Sequence, residues 1–155
     1  MILKRALFFL FVIAWYPNVA FASDHAVAAT QNTPAAAICM SLADFQKFSI
    51  DEAGFILNNF SAREVKDIQS DMMQLETSYS IANRSNQPVR LSVDFVYLDE
   101  KNSIVAALSG IAEEWRIDPA ITTKGKGKTF IAAGTLEEVK TVCLRAFGTF
   151  PEKSP

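Results

Sequence analysis

Two stretches of strict alternation fix the class of structure this chain can adopt. In Leu75–Ile81 the residues Leu75, Thr77, Tyr79 and Ile81 fall on one side, with Glu76, Ser78 and Ser80 on the other. Val89–Leu98 repeats the pattern, with Val89, Leu91, Val93, Phe95 and Tyr97 facing one way and Arg90, Ser92 and Asp94 the other. A period of two places successive side chains on opposite faces of a pleated strand, so each stretch reads as a strand with one buried face. Asn83–Pro88 between them carries turn chemistry, as does Asp99–Asn102 after them, and Ile104–Leu108 follows as a third strand. Lys128–Ala133 reads as a further strand, and Phe55–Leu57, after the Asp51–Gly54 turn, as an earlier one.

Two stretches carry conflicting signals. Ser61-Ala62-Arg63-Glu64 fits a capping box, with Val65, Ile68 and Met72 behind it at helical spacing. We read 61–70 as a helical turn or irregular segment. Thr135-Leu136-Glu137-Glu138 fits a second box, with Val139, Cys143 and Phe147 four apart and Gly148 placed as a C-cap. The β-branched and aromatic residues of 139–147 favour a strand instead. The expectation is an all-β, immunoglobulin-like sandwich of two sheets with room for one or two short helices, and α+β as the alternative.

A resemblance supports the sandwich. Ser78–Leu108 (SYSIANRSNQPVRLSVDFVYLDEKNSIVAAL) resembles the core of bacterial exported immunoglobulin-like domains of the FxLyD type. In these a strand ends at an Asn-rich turn and the next closes on Phe, Leu, Tyr and Asp. Phe95 and Asp99 match, whereas Tyr97 and Leu98 exchange the tyrosine and leucine. The resemblance spans about 30 residues and implies a non-enzymatic module; it carries no catalytic residue to transfer.

The N-terminus follows the order of a secretory signal: Lys4 and Arg5, an apolar run Ala6–Tyr16, a break at Pro17-Asn18, and Ala20-Phe21-Ala22 before the cut. The run is too short to cross about 30 Å of hydrocarbon, which takes roughly 18 apolar residues. Cleavage after Ala22 leaves 133 of the 155 residues. Loss of Lys4 and Arg5 takes the 15 basic side chains to 13 against 17 acidic ones, a net charge of −4. That balance speaks against a nucleic-acid partner, which requires a concentrated basic surface. We read 1–22 as signal peptide, 23–37 as tether, 38–150 as the folded domain and 151–155 as tail, with a periplasmic or secreted destination. In an oxidising compartment Cys39 and Cys143 are expected to form one structural bridge.

Few residues point to chemistry. The single histidine, His25, lies in the tether, so the domain holds no Ser-His or Cys-His pair and no His-based zinc set. Thr122–Thr129 (TTKGKGKT) ends like a phosphate-binding loop but has Thr122 where that loop needs its first glycine, and strand-like Phe130-Ile131 follows. It reads as a flexible basic hairpin loop whose Lys124, Lys126 and Lys128 could touch an anionic or acidic partner. Met40 and the Met72-Met73 pair read as core filler rather than soft metal ligands. The acidic doublets, such as Asp51-Glu52 and Glu113-Glu114, read as turn residues and not as a calcium site. Trp115, beside Arg116, is the best single anchor for a partner if exposed.

The sequence thus predicts a binding or scaffolding module without catalysis, metal or cofactor, whose partner is another exported or envelope protein. An exported inhibitor and a carboxylate-dependent hydrolase are the alternatives. Asn59-Phe60-Ser61 and Asn83-Arg84-Ser85 form glycosylation sequons.

Overall fold

A computed structural model describes residues 36–52 and 54–149. The segments read as signal peptide and C-terminal tail, and nearly all of that read as tether, with His25, lie outside the described residues. The protein is mostly β. Its elements are β1 (Ile38–Ser41), α1 (Leu42–Phe45), β2 (Ile50–Glu52), β3 (Phe55–Lys66), β4 (Met73–Asn83), β5 (Arg90–Leu98), β6 (Ile104–Ala112), β7 (Thr122–Ile131), α2 (Thr135–Glu138) and β8 (Thr141–Thr149). The strands form one antiparallel sheet in the order β1-β8-β5-β6-β7-β4-β3-β2. The meander β5-β6-β7 is flanked by β8 beside β5 and β4 beside β7, the arrangement of a Greek key.

The alternations in β4 and β5 hold without exception. Leu75, Thr77, Tyr79 and Ile81 are buried, as are Leu91, Val93, Phe95 and Tyr97. β4 and β5 are three strands apart in the sheet, about 14 Å if it were flat. Yet the ring of Tyr79 lies 5.6 Å from that of Phe95, and Phe60 of β3 lies 6.3 Å from it. The sheet is therefore curled, so that β1-β8-β5-β6 faces β7-β4-β3-β2 across the core. Thr77 and Tyr97 share a buried hydrogen bond across that core. Burial pushes the Tyr97 phenol up to about 12, against the opposing effect of the Thr77 hydrogen bond, so it stays neutral.

β6 and β7 pair through Ile111–Lys126 and Ala112–Gly125. The Tyr79 ring packs over Gly125 of β7 and Gly110 of β6 there, filling the space their missing side chains leave. This corrects the expected basic loop. Residues 122–131 are a strand in which Thr123, Gly125 and Gly127 face inward while Lys124, Lys126 and Lys128 face out. Glycine holds the inner positions because a neighbouring strand supplies the bulk. Extended backbone of this kind cannot wrap a phosphate.

α1 places Phe45 between the two halves, 5.2 Å from Phe60, 6.0 Å from Phe95 and 6.4 Å from Tyr97. Ser41 caps this turn by accepting from the Asp44 N–H. Cys39 and Cys143 are direct cross-strand partners of β1 and β8, joined by a disulfide across 104 residues of sequence.

Residues 61–66 also depart from expectation, because they continue β3 rather than turning into helix. Their backbone pairs with Met73–Ser78, and that pairing outweighs the local capping signal. Glu64, the would-be capping glutamate, instead reaches a site 70 residues away. Its carboxylate accepts from the N–H of Gly134 at 3.0 Å and of Leu136 at 2.7 Å, at the start of α2. Strand was expected for 139–147, and β8 supplies it from Thr141 on; the second capping signal shrinks to the single turn α2. Glu64→Ala should lower stability by about 1–3 kcal/mol in urea titration, since it leaves two part-buried donors unpaired. Glu64→Gln, which keeps an acceptor, should recover part of the loss.

Candidate binding surface

The outward side chains of β5 and its neighbours build the most distinctive surface. Ser92 of β5 is in register with Phe147 of β8 on one side and Ile111 of β6 on the other. The small serine leaves a dip between two apolar side chains. Ile111 is 58% exposed, breaking the rule that outward strand positions are polar. Beyond β6 the chain runs through Glu113–Arg116 before crossing to β7, and this segment carries Trp115 above the dip with 73% of its surface exposed. The result is a cleft of about 280 Å³ whose lining includes Arg90, Ser92, Ile111, Glu114, Trp115 and Phe147.

Arginine covers aromatic rings at both ends. The Arg90 guanidinium lies 4.8 Å from the centre of the Trp115 ring, and that of Arg145 lies 4.4 Å from the centre of Phe147. Arg145 also pairs with Asp94 at 3.5 Å, and Asp94 accepts a hydrogen bond from Ser109 at 2.7 Å. Glu114 accepts one from the Thr123 hydroxyl. No carboxylate among the described residues pairs with Arg90.

The residues singled out in the sequence are distributed unevenly over this surface. Trp115 is exposed and central. Arg116, its sequence neighbour, turns to Asp118 at 3.0 Å and does not line the cleft; Arg90 takes the place beside the tryptophan. Lys126 adjoins the cleft through its register with Ile111 and lies 3.8 Å from Glu113. Lys128 sits 3.1 Å from Glu76, which Arg63 also binds, so that end of the row is largely neutralised. The Arg63 hydrogen bond, with help from Lys128, holds the Glu76 carboxyl below the usual carboxylate range, and a hydrogen bond from Ser70 does the same for Asp67. Both groups favour the charged form, the reverse of what a general acid requires.

No protein-family model matches the chain, and no curated protein is similar to it.

Arg90, Ile111 and Phe147 were not among the sequence candidates. Arg90 was legible as an outward residue of β5. Ile111 and Phe147 become visible once the alternations of β6 and β8 are extended, because each puts an apolar side chain on the outward phase. The methionines do not gather: Met40 packs at the margin of the core, whereas Met72 lies half exposed in the β3–β4 turn. The two sequons differ in access. Asn83 is buried, with its amide donating to the carbonyls of Gln87 at 2.8 Å and Ile117 at 2.9 Å, so the folded protein offers no free amide there. Asn59 is exposed at a bulge in β3. Among the described residues no helix is long and apolar enough to cross a membrane.

Proposed function

We propose that this chain is an exported, non-catalytic binding module that engages another exported or envelope protein through the Trp115 face. The observation that carries the reading is the exposed indole set over an apolar cleft under an arginine. Trp and Arg dominate the energy of protein interfaces because they pair large apolar area with directed polar contacts. Trp115, with most of its surface in water, adds little to the core; with Ile111 and Phe147 beside it, it makes a contiguous apolar surface of the kind that marks a contact site.

The immunoglobulin-like description belongs to the same proposal. Its support is the Greek-key order and the two facing halves of the sheet. Export is supported by the disulfide, which an oxidising compartment preserves. The short basic-apolar leader is consistent with the same route.

The test is a photo-crosslinking residue introduced at Ile111 in cells that make the protein. A discrete adduct is expected, and Trp115→Ala should abolish it, since loss of a central anchor costs about 2 kcal/mol or more, roughly 30-fold in affinity. The same crosslinker at Gln74, on the outward side of β4, should give no such adduct. Adducts at Ile111 that persist without Trp115 would remove this face from the function.

A further inference from the structure

We infer that the segment seated in the Trp115 cleft is an acidic stretch of a partner protein, in which an apolar side chain enters the dip over Ser92 and a neighbouring Asp or Glu binds Arg90. This inference rests on the reading of the Trp115 face as a binding surface and adds the chemistry of its partner.

The size of the cleft bears on the occupant. At about 280 Å³ it lies at the lower edge of the ≈ 300–1,000 Å³ of sites that enclose a whole small molecule. Its floor is a serine between Ile111 and Phe147 and one wall is the indole, a shape that accepts a single protruding side chain. Such a side chain gains apolar contact on three sides and requires no polar partner inside the dip.

The charge beside the cleft selects the rest. A guanidinium carries five N–H donors in a planar fork, which a carboxylate can bind in a two-pronged fashion. Arg90 lies 4.8 Å from the centre of the Trp115 ring and has no carboxylate partner among the described residues. Of the other charges near it, Arg145 is paired with Asp94 and Lys126 with Glu113, while Glu114 holds its carboxylate toward the Thr123 hydroxyl. The unmet demand at the cleft is therefore for an anion at Arg90, next to an apolar pocket. Lys124, outward on β7 near the same seam, adds attraction of the same sign.

A random peptide library displayed on phage and panned against the purified protein tests this directly. The expected winners carry Asp or Glu within two positions of a large apolar residue. Synthetic versions of them should bind ~10- to 100-fold more weakly to Arg90→Gln, the loss of one charge-assisted contact. Arg90→Lys should recover only part of that, because an ammonium lacks the planar fork. Trp115→Ala should abolish binding altogether. Winners without acidic residues that need Trp115 but ignore Arg90→Gln would overturn the acidic partner and leave the binding face standing. No enrichment, or winners indifferent to Trp115→Ala, would overturn the face and the inference together. A concentration-dependent dimer on size-exclusion chromatography that Trp115→Ala dissolves would put a second copy in the cleft and overturn the peptide.

Discussion

Replacing both Cys39 and Cys143 by serine should cost about 4–5 kcal/mol of stability, the largest effect expected of any surface change in this protein. The bridge closes a loop of 104 residues, and on the chain-entropy account a loop of that size confines the unfolded chain by about that amount. The native state also has reason to depend on it. β1 is four residues long and lies at the edge of the sheet, paired only with the first part of β8. The turn that follows it carries Phe45, which is fully buried against three other aromatic rings. If β1 frays, α1 loses its anchor on one side, and the plug between the two halves of the sheet loosens with it. Both cysteines lie on the outward side of the sheet, so serine there neither opens a cavity nor buries a hydroxyl without a partner. In a urea titration with a slope of ~2 kcal/mol/M, the midpoint should fall by about 2 M. A fall below about 0.5 M would mean that Phe45 packing, and not the bridge, holds β1 in place.

Sequence legibility follows how local the cause of each element is. β4 and β5 are readable because each carries its own buried face, from Leu75 to Ile81 and from Val89 to Tyr97. Even Thr77, a polar residue on the inner phase, fits once Tyr97 is seen to satisfy it. β7 has the same period of two but writes it as lysine and glycine. Glycine normally signals a turn, and the bulk that makes it an inner residue here belongs to Tyr79, more than forty residues away. Ser61–Glu64 fails for a related reason: the local capping pattern is genuine, but Glu64 spends its carboxylate on α2 and its backbone on β4. The binding face was half readable. Trp115 stands out by type alone, while its arginine is Arg90 rather than the adjacent Arg116, a choice made by the fold of the β6–β7 crossing. The curl of the sheet, which brings Phe60, Tyr79 and Phe95 together, has no signature in any single segment.

Gly125→Ala should destabilise the protein by about 1–3 kcal/mol, although alanine is ordinarily the better residue in a strand by roughly 0.5–1 kcal/mol. A Cβ at this position would stand 2.5 Å from both Cε2 and Cζ of Tyr79. The ring cannot swing clear, because it is buried, stacked 5.9 Å from Phe60 and tilted 5.6 Å from Phe95. The strand must therefore move, and it carries Lys124 and Lys126 outward on either side of the substituted residue. Lys126 is the register partner of Ile111, so the same shift should disturb the cleft and weaken whatever it binds. A double-mutant cycle separates ring from backbone. Tyr79→Phe removes a buried hydroxyl that has no hydrogen-bond partner, and should itself cost little. It keeps the ring, so Gly125→Ala should be as damaging in that background as in the wild type. In a Tyr79→Leu background, where the ring is gone, the added methyl should cost less than in either. Should Gly125→Ala prove neutral or stabilising in the wild type, the packing of Tyr79 against β7 would not be what holds that strand in place.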